Sequence, residues 1–193
     1  MKNHLFKKAS ENSDINYTAV EDSWKEIMEN IRHNLTRPRR FFIHYIISSS
    51  KYDVTNAITK NTLYDDFQTI ICEVRENNGI TVEEYLEDMA NMSDIYVDIA
   101  NSNTDVYADN DANEKINRIL KNLDRMGSTQ ERSLLLGLFR RVDNPTEMIR
   151  MLRLIESFVV RGRLTDITTG KTLTKLYAGI CSDITDGQDM VSY

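Results

Sequence analysis

Seven glycines and two prolines in 193 residues leave this chain almost without helix breakers, and that scarcity constrains the fold more than any other feature. An interior proline costs a helix about 3 kcal/mol and an interior glycine about 1 kcal/mol relative to alanine. A chain this poor in both is free to run in long helices joined by few turns. The apolar residues agree, because they recur at three- and four-residue spacing while alternating strand patterns are essentially absent. The spacing predicts an all-α fold, an irregular bundle of about eight helices.

Side-chain chemistry marks where those helices begin and end. Thr18 with Glu21, Thr81 with Glu84 and Ser128 with Glu131 have the spacing of capping boxes, each just ahead of an apolar stripe. Behind the first come Val20, Trp24, Ile27, Ile31 and Leu35; behind the second, Val82, Leu86, Met89 and Ile99. The third precedes a helix over Leu134 to Val142. Pro38 disfavours helical geometry at Arg37 and suits the first turn of a helix through Phe41, Phe42 and Ile47. Asn144 and Pro145 form an N-cap and first-turn pair for a helix carrying Met148, Leu152, Ile155 and Val159. A further stripe from Leu63 to Val74 closes at Gly79, and a last one runs from Leu173 to Ile184. The Asn- and Asp-rich stretch 101–113 reads as a long loop or internal boundary within a single helical domain over 1–193.

The longest apolar runs, such as Phe41 to Ile47, are broken by polar side chains and fall far short of the roughly 18 residues a membrane span needs. Met1 to Ser10 lacks the hydrophobic segment of a secretory signal, so no membrane is expected and the compartment is expected to be cytoplasmic. Cys72 and Cys181 are isolated thiols without metal-ligand spacing, and both read as small buried hydrophobes.

The formal charge of -6 conceals a strong segregation. Residues 1–64 hold ten basic and seven acidic side chains, and residues 65–114 hold one basic against fourteen acidic. Residues 115–163 then hold eleven basic and five acidic, and the remainder two and four. An acidic middle between basic flanks fits either local neutralisation of neighbouring helices or two basic parts directed at phosphates.

Most candidate chemistry fails on inspection. Thr168 to Thr172 ends like a phosphate-binding loop, but the earlier glycine is replaced by Thr165 and no apolar strand precedes it. Asp109, Asp111 and Asn113 begin like a calcium loop, yet Glu114 stands where the turn needs glycine and Leu120 where it needs a bidentate carboxylate. His4, His33 and His44 have no partner at metal-ligand spacing, and no elbow signature marks a nucleophile. Neither a catalytic residue nor a metal ligand is expected in this chain. The arginines are stronger candidates. Arg37, Arg39 and Arg40 flank Pro38 at a helix start, and Arg161 and Arg163 end an apolar helix. Guanidiniums and helix-start amides can together grip a phosphate.

Several segments, taken in order, resemble the helical part of the GmrSD-type, modification-dependent restriction endonucleases. Met1 to Ala9, MKNHLFKKA, is similar to the family's IKNYLF segment. EDSWKEI followed by RFFIHYII, within Glu21 to Ile47, resembles its Trp-containing helix and the FLRHYL helix after it. TLYDDF, Thr62 to Phe67, is similar to LYEEF. Asn144 to Arg163 resembles the helix that ends in a paired arginine, and KTLTKLY after it is similar to LNKLF. Two departures stand out: Gly162 separates Arg161 from Arg163 where the family has adjacent arginines, and both the DGQQR motif of the ParB-like nucleotide-hydrolysing domain and the His-Asn-His nuclease motif are absent.

The resemblance implies a phage-defence role. In the family, nucleotide hydrolysis licenses cleavage of modified phage DNA, with a nucleoside triphosphate and a divalent metal as cofactors of the whole enzyme and none held by this region. The expectation is a fragment that links or senses, is not catalytic by itself, works beside ParB-like and His-Asn-His nuclease domains, and contacts DNA phosphates through Arg37, Arg39, Arg40, Arg161 and Arg163. The alternative is a free-standing helical interaction module whose acidic segment, Asp65 to Glu114, docks a basic partner.

Overall fold

The computed structural model describes residues 17–48, 63, 65, 67, 69, 81–127, 129–165 and 170–185. Most of these residues are helical and none lies in a strand, so the all-α expectation holds. Seven helices have described bounds: α1 (Tyr17–Asn34), α2 (Arg39–Ser48), α3 (Val82–Asn101), α4 (Asn110–Arg125), α5 (Arg132–Arg141), α6 (Pro145–Thr165) and α7 (Gly170–Thr185). The count is seven where about eight were expected, because the stripe from Leu63 to Val74 is described only at Leu63, Asp65, Phe67 and Thr69, all four helical. Gly79, Cys72, His4, Ser128 and the Met1 to Ala9 segment lie outside the described residues.

Capping explains several of the boundaries. Thr81 and Glu84 form the reciprocal box at the start of α3: the Thr81 N–H donates to Glu84 Oε2 at 2.8 Å, and the Glu84 N–H donates to Thr81 Oγ1 at 3.2 Å. Those bonds favour the carboxylate and hold the Glu84 pKa below its ordinary value. Asn144 caps α6 by accepting from the Thr146 and Glu147 N–H groups at 2.9 and 3.3 Å, with Pro145 as the first helical residue. Two boxes fare differently. α1 begins at Tyr17, which places Thr18 inside the helix, and α5 begins after buried Glu131, whose expected box partner Ser128 lies outside the described residues.

The chain divides into two compact units, Met1–Ile43 with Ile58–Asp94 and His44–Ala57 with Ile95–Tyr193. In the first, the α1 stripe of Val20, Trp24, Ile27 and Ile31 is buried with Phe41, Phe42, Leu86 and Met89. Trp24 stacks on Phe42 at 5.7 Å, and Asn30 Nδ2 ties α1 to α3 by donating to Ser93 Oγ and Asp94 Oδ1 at 3.0 and 2.7 Å.

In the second unit α4 packs against α6, and α5 against both α6 and α7. α4 is strongly amphipathic, hiding Ile116, Ile119, Leu120 and Leu123. Each such burial is worth about 1.5–3 kcal/mol, far more than helix propensity offers. The non-helical part of stretch 101–113 is short, spanning Ser102 to Asp109, and lies wholly within this unit. α3 closes there in a Schellman motif, Ser102 N–H to Ile99 O and Asn103 N–H to Asp98 O, with Ser102 at φ 54 where glycine is usual. Among the described residues no helix is long and apolar enough to cross a membrane.

Candidate functional site

The arginines singled out by sequence fall in different units. Arg37 and Arg39 are exposed and Arg40 half-buried at the start of α2, in the first unit. The first turn there closes on itself, Arg40 N–H to Arg37 O at 3.0 Å and Phe41 N–H to Pro38 O at 3.1 Å. Two amides that could face an anion are thus engaged in starting the helix, which leaves the exposed guanidiniums of Arg37 and Arg39 as the donors toward water.

Arg161 and Arg163 are exposed near the end of α6, in the second unit. Arg163 reaches the end of α4. A Cβ added to Gly127, the φ +64 residue just past that helix, would come within 3.8 Å of Arg163 Nη2. A cation there meets the negative end of the α4 dipole. Arg163 therefore combines an exposed face with a structural duty.

A second arginine pair, which the periodicity of the sequence did not single out, belongs to a buried polar cluster of the second unit. α5 is buried at every position from Ser133 to Phe139, so its terminal residues Arg140 and Arg141 are drawn into the packing. The Arg140 guanidinium lies over the Tyr45 ring, 5.5 Å from its centroid. Arg141 Nη1 donates to Gly137 O at 3.1 Å and to Ser48 O at 3.4 Å, which places a cation at the C-terminal end of α2. Gly137 is required by this closeness, because a Cβ on it would stand 2.9 Å from Cys181 Sγ and 3.4 Å from Arg141 Nη1.

Tyr177, Cys181 and Glu131 complete the cluster, all buried. Burial pushes the Cys181 thiol up to about 12, against the opposing pull of the Arg141 and Arg140 charges. Burial and then the Glu131 charge raise the Tyr177 phenol above its ordinary value. Burial thus favours the neutral thiol and the neutral phenol. The cluster is a lock between α2, α5 and α7. The signal that could have found it is the unbroken run LLLGLF just before the two arginines, which marks a buried helix whose end carries its arginines inward.

The remaining polar candidates are also structural. Asp109 caps α4 by accepting from the Ala112 N–H at 3.1 Å, while buried Asn113 donates to Tyr107 O at 2.6 Å and Asp105 Oδ1 at 3.1 Å. That accounts for the calcium-like spacing. His44 is buried with Nδ1 at 2.8 Å from the Tyr96 hydroxyl, and His33 is exposed beside Glu29 O. Tyr107 donates to Val142 O at 2.6 Å, and burial followed by the Asp143 charge raises its phenol to about 12. Among the described residues no group of three His, Cys, Asp or Glu side chains could hold a metal ion.

Comparison of the chain with models of protein families, with curated proteins and with solved structures finds no match.

Proposed function

We propose that this chain is the helical linker or sensor region of a nucleotide-dependent restriction endonuclease that acts on modified phage DNA, and that it has no catalysis of its own. What carries the reading is the ordered set of segments that resemble the GmrSD type, together with their fit to the helices. EDSWKEI falls inside α1, RFFIHYII inside α2, NPTEMIRMLRLIESFVVRGR on the N-cap and body of α6, and KTLTKLY inside α7.

In this role the ParB-like and His-Asn-His nuclease domains would supply the nucleotide and metal chemistry in the cytoplasm. The exposed Arg37, Arg39, Arg161 and Arg163 would add phosphate contacts, with half-buried Arg40 behind them. The test is an assay of the purified chain with nucleoside triphosphates, a divalent metal and modified DNA. Neither hydrolysis nor cleavage is expected; either one overturns the reading.

A second reading, a helical module that docks a basic partner through an acidic face, draws on one specific feature. Glu84, Glu87, Asn91 and Asp94 are exposed along one side of α3, at three- and four-residue spacing. A chain that stays monomeric and without a partner in mass photometry counts against it.

A further inference from the structure

α6 carries two apolar surfaces, and only one of them is covered. Met148, Leu152, Ile155 and Val159 are buried. Leu154 is 64% exposed, Leu164 82%, and Phe158 and Val160 about two fifths. Every other exposed position from residue 150 to the end of the described face is an arginine: Arg150, Arg153, Arg161 and Arg163. No carboxylate lies among them.

On a helix these residues form two adjacent ridges. Arg150, Leu154, Phe158 and Arg161 follow one another at spacings of four, four and three, and Arg153, Val160 and Leu164 run alongside. The arginines are therefore interspersed with the apolar side chains. We infer that this face of α6 is a docking surface for an acidic amphipathic helix of a partner chain or domain, which covers the leucines and phenylalanine and pairs carboxylates with Arg150 and Arg153. The inference does not need the restriction-enzyme reading, and on this face of α6 it sets a partner's carboxylates in the place that reading gives to DNA phosphates.

Three other occupants fit less well. A second copy presenting the same face would set four arginines against four. A nucleic acid would meet the guanidiniums but leave four apolar side chains against a hydrated polyanion. An anionic membrane takes up helices whose basic residues flank the apolar sector, whereas here Arg161 sits within it. Arginine mixed with exposed leucine and phenylalanine is instead the composition of a protein interface.

The test uses the full chain and a fluorescent synthetic helix with leucines on one face and glutamates elsewhere. A copy with lysines for glutamates, phosphatidylglycerol vesicles and duplex DNA serve as the other arms. The glutamate peptide is expected to bind and the lysine peptide not to bind. Leu154→Glu with Leu164→Glu is expected to weaken binding at least about tenfold, with circular dichroism unchanged because both side chains face solvent. Failure of the glutamate peptide to bind, equal binding of the two peptides, or affinity insensitive to the leucine substitutions overturns the proposal. So does self-association, or vesicle or DNA binding, that the leucine substitutions abolish.

Discussion

α5 ends in two arginines and α6 carries two near its end, yet the two pairs serve opposite ends. Arg140 and Arg141 turn inward, over Tyr45 and onto the carbonyls of Ser48 and Gly137. Arg161 and Arg163 stay at the surface. The residue type and its place at a helix end are the same in both cases. The difference lies in the helix that carries them: α5 is buried over seven consecutive positions, from Ser133 to Phe139, whereas α6 hides one stripe and exposes the rest. A cation at the end of a fully buried helix has to find partners inside the protein, and the carbonyls at the end of α2 are such partners.

The sharpest way to break the comparison is to crowd the inward pair. Gly137→Val places side-chain atoms where Cys181 Sγ and Arg141 Nη1 already stand, and is expected to lower stability by about 3 kcal/mol in urea unfolding. Adding Cys181→Ala is expected to return part of that loss, since the nearest contact is with the sulfur. Two strictly additive losses would place the strain elsewhere.

Removing the inward charge comes next. Arg141→Ala takes away charge-assisted bonds to two carbonyls and is expected to cost about 2 kcal/mol, while Arg161→Ala is expected to stay within about 0.5 kcal/mol of the parent. Equal losses at the two sites would erase the distinction drawn between them.

How much of this was legible from the residues follows the same division. Boundaries set by local side-chain chemistry were readable, as at Thr81 with Glu84 and Asn144 with Pro145, because the donor, the acceptor and the apolar stripe are all within a few residues. The same spacing misled at Thr18 and Glu21, where α1 starts one residue earlier. Arg140 and Arg141 were not singled out because what defines them is contact with Tyr45 and Ser48, more than ninety positions away. Arg161 and Arg163 were singled out on charge and position, which say nothing of the neighbouring Leu154 and Leu164 being uncovered.

Gly127 tests whether Arg163 is wholly a surface residue. At φ +64 an alanine is strained, and Gly127→Ala is expected to cost about 1 kcal/mol. Arg163→Ala is expected to remove only a few tenths of a kcal/mol, the share of a cation near a helix C-terminus. A loss as large as that at Arg141 would move Arg163 to the inward class.

The thiol beside the inward pair makes stability depend on pH only in the alkaline range. Cys181 has its pKa raised from 9.0 to about 12 in the folded chain, so the neutral thiol is favoured by folding. Its contribution is fully present below pH 9 and is lost as pH rises from 9 towards 12. Tyr107 acts in the same sense from 10.0 to about 12. Cys181→Ala is accordingly expected to flatten the fall in stability between pH 9 and 12, measured by urea unfolding at each pH. An unchanged slope would mean that the thiol ionises as readily folded as unfolded.

The smallest effect on stability is also where the two pairs separate most cleanly in function. If the exposed arginines meet phosphates, each of Arg161→Ala and Arg163→Ala reduces by about 1 the slope of log affinity against log salt for duplex DNA. Arg140→Met, which keeps bulk over Tyr45, is expected to leave that slope unaltered because the guanidinium it removes faces the protein interior. Affinity that ignores salt would detach the outward pair from phosphate altogether and leave the α6 face to its leucines. A slope that responds to Arg140 as strongly as to Arg161 would show instead that burial does not separate the two pairs, since only an opened α5 end could bring Arg140 to a phosphate.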